Sequence, residues 1–188
     1  MSLTPALRSL QRKLERFYAL EEAPDVSDFV RLCEAPARET LLVRESADEL
    51  ELALVLPANA ANDDGYLQLV EGVSHFVYLA ERARTNLPAT RLELELQAEV
   101  DKFVVLAGAS AALTRRRARS LHERLYARVR FLHDAGTEDG DRYRLANELA
   151  ARFVARICDH AEPTLPRGAL RRFYRSGQAE KIRLARAA

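Results

Sequence analysis

The chain has no tryptophan, one methionine, two cysteines and four histidines in 188 residues, and these scarcities narrow what it can be. Cys33 and Cys158 stand alone with no metal-binding or redox spacing, and two cysteines make no disulfide framework, so they read as ordinary core thiols. No glycine-rich phosphate loop, nucleophile elbow or paired-histidine metal motif is present. The longest apolar stretch, "FVVLAGASAAL" at 103–113, is too short to cross a bilayer. The opening "MSLTPALRSLQRKLER" carries a charge every few residues and lacks the apolar segment of a secretory signal. These absences predict a cytoplasmic protein with no membrane, no cofactor and no metal. They leave no residue to name as catalytic, and a small-molecule ligand is left open.

What is present is globular: 48% hydrophobic and 30% charged residues, values that exclude disorder and fibrous classes. Basic residues are almost all arginine, with lysine only at 13, 102 and 181, a usage that fits a bacterial genome rich in G and C. The length suits a single domain over 1–188, with an N-terminal helix and β-hairpin in about 1–60 and a helical bundle in about 65–188. The net charge of +1 conceals a split. Residues 1–112 hold 11 basic and 19 acidic side chains, a net of −8, and residues 113–188 hold 18 and 9, a net of +9. Such a division serves either an external partner, or packing of the halves on each other or on a second copy.

Thr4 and Pro5 offer a helix start, and Leu7, Leu10, Leu14 and Phe17 recur at helical spacing over about 5–20. "EEAPDVSDFVRLCEAP" predicts one or two helical turns with Phe29, Val30 and Leu32 inward. In "ETLLVRESADELELALVLP" the period changes to two: Leu50, Leu52, Leu54 and Leu56 alternate, which predicts a hairpin half buried on a helical layer. A two-stranded ribbon exposes two edges, so it also suggests a homodimer through the ribbon or the adjacent acidic surface. From residue 65 onward the pattern is helical. Thr90 with Glu93 forms a capping box before "RLELELQAEVDKFVVLA". Further helices are expected from about Ser110 to His133, from 141 to 161, and from Arg167 with a kink or stop at Gly177. The fold class is α+β, predominantly α: about five longer helices with one docked β-hairpin.

Two places invite a functional reading. On a helix over about 65–85, Tyr66, Leu69, Val70, Val73, Phe76, Val77 and Ala80 form the core stripe, which places His75 roughly 200° from Val73. Glu71 lies one turn before His75, with Tyr78 and Arg82 nearby. The i, i+4 pair suits proton sharing or two ligands to one metal, with Glu93, Glu95 and Glu99 as candidate further donors. The plainer reading, which we prefer, is a solvated polar face. His122, His133 and His160 add little; the last two are placed near helix ends, where an imidazole meets the dipole favourably.

The second place is "TRRRARSLHERLYARVRF", with Arg115, Arg116, Arg117, Arg119, Arg124, Arg128 and Arg130 against a single acid, Glu123. Its core stripe is Ala118, Leu121, Leu125 and Leu132. "RGALRRFYRSGQAEKIRLAR" repeats the composition, with Arg171, Arg172 and Arg175 beside Phe173 and Tyr174. Guanidinium groups next to exposed aromatics suit phosphate contact by charge and stacking, or an acidic protein surface, although the plainest reading of the arginines themselves is a solvated helix face. The sequence therefore predicts a protein-interaction or regulatory module that contacts its partner or a second copy through Arg115, Arg116, Arg117, Arg119, Arg171, Arg172 and Arg175. A nucleic-acid-binding protein using 115–130 and 167–186 is the alternative, and an enzyme around Glu71 and His75 ranks below both.

Overall fold

A computed structural model describes residues 3–33, 40–45, 50–57, 63–109, 113–161 and 163–187, with the backbone alone at 43–45, 50–52, 57, 63 and 64. The described residues form seven α-helices and one three-stranded sheet, an α+β fold that is predominantly α. Five helices are long and two are short, as the periodicities predict. The chain divides into two compact units, Met1–Pro88 and Ala89–Ala188, so the helix after the sheet groups with the sheet and not with the helices that follow it.

In the first unit, α1 (Leu3–Tyr18) packs on α2 (Asp63–Arg84). Its buried face runs through Leu7, Leu10, Gln11, Leu14, Glu15 and Tyr18, so Tyr18 takes the place expected of Phe17, which is half exposed. Thr4 lies inside the helix, which already includes Leu3. The helix stops where Ala19 turns into the left-handed region at φ 53° and Leu20 N–H reaches back to the Glu15 carbonyl at 2.9 Å. That is the ordinary way a helix satisfies its last carbonyls, here without the usual glycine.

The segment after α1 departs from expectation. Its helical part is one 3₁₀ turn, Val26–Phe29, capped by Asp25, whose Oδ1 accepts from the Ser27 hydroxyl at 2.7 Å and the Ser27 N–H at 3.0 Å. These bonds, aided by Arg8 at 2.6 Å, hold the Asp25 carboxyl below its ordinary pKa. The chain then enters strand β1 (Val30–Cys33). Four residues are too few for periodicity to separate strand from helix, and Leu32, expected inward, is 59% exposed.

Strands β2 (Thr40–Glu45) and β3 (Leu50–Pro57) form the expected antiparallel hairpin. Strand β1 adds to it in parallel, Val30 opposite Leu54 and Leu32 opposite Leu56, so the ribbon becomes a sheet of order β1-β3-β2. Leu54 and Leu56 are fully buried, and α2 covers the hairpin. The Leu50 and Leu52 side chains lie outside the described residues.

The second unit contains α3 (Arg91–Gly108), α4 (Arg115–Tyr126), α5 (Glu138–Asp159), α6 (Arg167–Arg175) and α7 (Gln178–Arg186). The capping box at its start forms as predicted: Thr90 Oγ1 accepts from Glu93 N–H at 3.1 Å, and Glu93 Oε2 accepts from Thr90 N–H at 2.8 Å. Helix α5 is central and packs on α3, α4 and α7. It buries Leu149, Phe153, Val154 and Ile157, and Phe153 stacks on Phe173 of α6 at 4.1 Å. The fourth helix is shorter than expected. Ser110, its predicted start, lies outside the described residues; Thr114 caps the helix through Arg117 N–H at 3.2 Å, and the helix ends at Tyr126 rather than His133. Leu132, expected in the core stripe, therefore sits in the connecting segment and is 65% exposed.

Candidate interaction surface

Helix α4 is fixed from its inner side. Ala118, Leu125 and Tyr126 are buried, the Tyr126 hydroxyl donates to the Glu99 carbonyl at 2.8 Å, and His122 Nε2 lies 2.9 Å from the Ala151 carbonyl. Burial, with Glu99 next in weight, pushes the Tyr126 phenol well above its ordinary pKa. With that side committed to α3 and α5, Arg115, Arg116, Arg117, Arg119 and Arg124 project into solvent, and Arg128 and Arg130 follow in the connecting segment.

Their pairing is sparse. Arg119 Nη2 meets Asp159 Oδ1 at 2.9 Å, which lowers the Asp159 pKa and raises that of Arg119. Arg116, Arg117, Arg128 and Arg130 have no ion-pair partner among the described residues. The arginines at 115–117 also occupy the first turn of α4, which holds no acid. That end carries the positive pole of the helix dipole and favours acids by a few tenths to about 1 kcal/mol each. Helix α5 follows the rule, with Glu138, Asp139 and Asp141 in its first turn. Helix α4 inverts it.

The C-terminal arginines are placed differently. Arg172 Nη2 pairs with Glu180 at 3.0 Å, and Glu180 also accepts from Arg183 at 2.5 and 2.6 Å. The Arg183 contact, and then Arg172, holds the Glu180 carboxyl low. Arg171 is half-buried and Arg175 exposed. Phe173 and Tyr174 are buried, which corrects the expectation of exposed aromatics between arginines: they are the inner stripe of α6, and no stacking platform exists there. Helix α4 packs on α3 and α5 while α6 packs on α7, so separate helix pairs carry the two arginine groups.

The other candidate face is also corrected. Every residue of α2 from 68 to 78 is buried, including Gln68, Ser74, Tyr78 and both Glu71 and His75, each 5% exposed. The polar face is therefore not solvated. Arg82 continues the buried polar row, its Cζ 5.6 Å from the Tyr78 ring centroid and its Nε donating to the Pro88 carbonyl at 2.9 Å. On α3, Glu93 and Glu95 are buried and Glu99 is half-buried.

Sequence reasoning missed a further buried group. Lys181, in the stretch read as a basic tail, is fully enclosed: its Nζ donates to Gln97 Oε1 at 2.5 Å and lies 4.4 Å from the Phe173 ring centroid. Gln97 Nε2 in turn donates to Asp101 Oδ1 at 2.9 Å. Arg156 supports the same helix by donating to the Leu184 and Ala185 carbonyls at its end. Leu170, Phe173, Tyr174, Lys181 and Ala185 thus form the inner side of the segment 167–186. The spacing of Lys181 to Ala185 at i, i+4 was the one available sign of an inward face.

No helix among the described residues is long and apolar enough to cross a membrane. Compared with protein families, with curated proteins and with solved structures, the chain matches none.

Proposed function

We propose that this protein is a protein-interaction module whose α4 arginines receive an acidic surface of a partner protein in the cytoplasm. The observation that carries the reading is the first turn of α4: three exposed arginines stand at the positive end of the helix dipole, where they cost the helix stability. An acidic partner would offset that cost. Burial of Phe173 and Tyr174 removes the stacking contribution on which the nucleic-acid alternative relied.

The test is capture of binding partners from native lysate, with and without nuclease, by the parent chain and by a variant carrying Arg115→Gln, Arg116→Gln, Arg117→Gln and Arg119→Gln. The expected result is a protein complex that survives nuclease and is lost in the variant. Release by nuclease would overturn the reading in favour of nucleic acid, and so would affinity falling linearly with log salt at a slope of about 0.9 per phosphate contact. Equal capture by parent and variant would make α4 a solvated face. The fold is expected to survive the change: loss of the exposed Arg119–Asp159 pair costs no more than about 1 kcal/mol, and removal of three cations from the first turn of α4 offsets it.

A further inference from the structure

The first unit holds a cleft of about 250 Å³ between the segment that follows α1 and the C-terminal part of α2. Leu20, Pro24, Val77 and Ala80 form its apolar walls. Glu21, Glu22 and Glu81 stand around it with a single cation, Arg84, which binds Glu81 at 2.9 Å and Glu21 at 3.2 Å. Three carboxylates against one guanidinium leave the rim acidic. The volume exceeds the roughly 150 Å³ in which an apolar cavity takes up benzene, so the cleft admits a branched aliphatic side chain.

The second unit carries a segment of matching chemistry. Between α4 and α5 the chain reads Arg128-Val129-Arg130-Phe131-Leu132 with no helix or strand. Val129 is 38% and Leu132 65% exposed, and the two arginines are exposed with no ion-pair partner among the described residues. Phe131 is held back under the Arg144 guanidinium, 4.6 Å from its ring centroid. The outward side chains are thus two cations and two aliphatics. The units themselves are oppositely charged: residues 1–88 hold 9 basic and 15 acidic side chains, a net of −6, and residues 89–188 hold 20 and 13, a net of +7.

We propose that the protein self-associates head to tail, with segment 128–132 of one copy seated in the cleft of another, Leu132 in the apolar floor and Arg128 and Arg130 against the glutamate rim. Opposite charge on the two surfaces steers the encounter and the aliphatic anchor sets its lifetime. Donor and acceptor surfaces differ, so the contact is heterologous, and the assembly either closes into a ring or extends. The α4 residues of the preceding section take no part, and the two proposals fail separately.

Sedimentation velocity of the full chain, up to roughly 100 µM and at low and high salt, tests this. The expected result is a sedimentation coefficient that rises with concentration and falls with salt. The pair Glu21→Lys with Glu22→Lys, and separately Arg128→Glu with Arg130→Glu, should each weaken association on the order of tenfold or more. An equimolar mixture of the two variants should restore it, because each surface then meets its complement on the other chain. Leu132→Ser should weaken it with no change in charge. Replacement of Arg115, Arg116, Arg117 and Arg119 should leave it intact. A monomer under all conditions overturns the proposal, as does association that survives both charge reversals or is not restored by mixing.

Discussion

Gln11 offers a sharp test of how the first unit is held together. It lies on the buried face of α1 and joins four partners at once. Its Nε2 donates to Glu15 Oε1 at 2.8 Å, to the Pro24 carbonyl at 3.0 Å and to the Ala23 carbonyl at 3.3 Å; its Oε1 accepts from the Val26 N–H at 2.8 Å. Methionine fills nearly the same volume and makes none of these bonds. Glu15 would keep the Ala23 N–H at 3.1 Å, and the two carbonyls are only part-buried. The Val26 N–H is buried and would be left without an acceptor, a cost of about 1–3 kcal/mol, to which the weakened carbonyl bonds add a further ~1 kcal/mol. Gln11→Met should therefore lower stability by about 2–4 kcal/mol in urea unfolding followed by circular dichroism. Hydrogen exchange should show the Val26 amide losing its protection. Gln11→Glu separates hydrogen bonding from charge. The new carboxyl keeps an acceptor for Val26 but sits beside Glu15 and two carbonyl oxygens, which raises its folded pKa above the unfolded value near 4.3. Its contribution is then fullest below about pH 4 and is lost as the pH rises, so this variant should lie closer to the parent at pH 4 than at pH 7. A Gln11→Met protein within about 0.5 kcal/mol of the parent would refute the reasoning.

Ala19→Gly should stabilise the protein by about 0.5–1 kcal/mol in the same assay, because Ala19 holds a φ of 53° that costs a side chain roughly 1–2 kcal/mol. Gly140→Ala should destabilise by about 1–3 kcal/mol, although alanine favours helices, since an added Cβ would stand 1.9 Å from the Asp134 carbonyl oxygen at the α5 cap; a neutral result would show that the cap relaxes freely. Burial, and then the Asp159 charge, pushes the Cys158 thiol up to about 11, so a maleimide at pH 8 should spare Cys158 in the folded chain and label it only in denaturant, as read by mass spectrometry. The same shift gives a stability contribution that is whole below the unfolded thiol's pKa of about 8.5 and declines as pH rises toward about 11. A stability curve flat over that interval would contradict it.

The sequence by itself determined the elements whose signal is local. The alternation of Leu54 and Leu56 with shorter partners specified β3, and the Thr90–Glu93 box specified the start of α3, because side-chain period and cap geometry are set within a few residues. The exposed arginines of α4 were legible for the same reason: Ala118, Leu121 and Leu125 mark the inner side, and Arg115, Arg116, Arg117, Arg119 and Arg124 fall off that stripe. Tertiary structure decided the rest. Strand β1 exists because β3 offered a free edge to four residues that carry no period of their own. Helical periodicity divides a helix into apolar and polar sides and so places Glu71 and His75 in solvent, yet α2 is enclosed all round from 68 to 78; how many sides of a helix are covered depends on its neighbours. Lys181, Gln11 and Tyr174 were misread or passed over on the same ground: a polar or amphipathic side chain is buried when a distant segment supplies its hydrogen bond or covers it, as Gln97 does for Lys181 across 84 positions of sequence, and nothing in the local pattern records that partner.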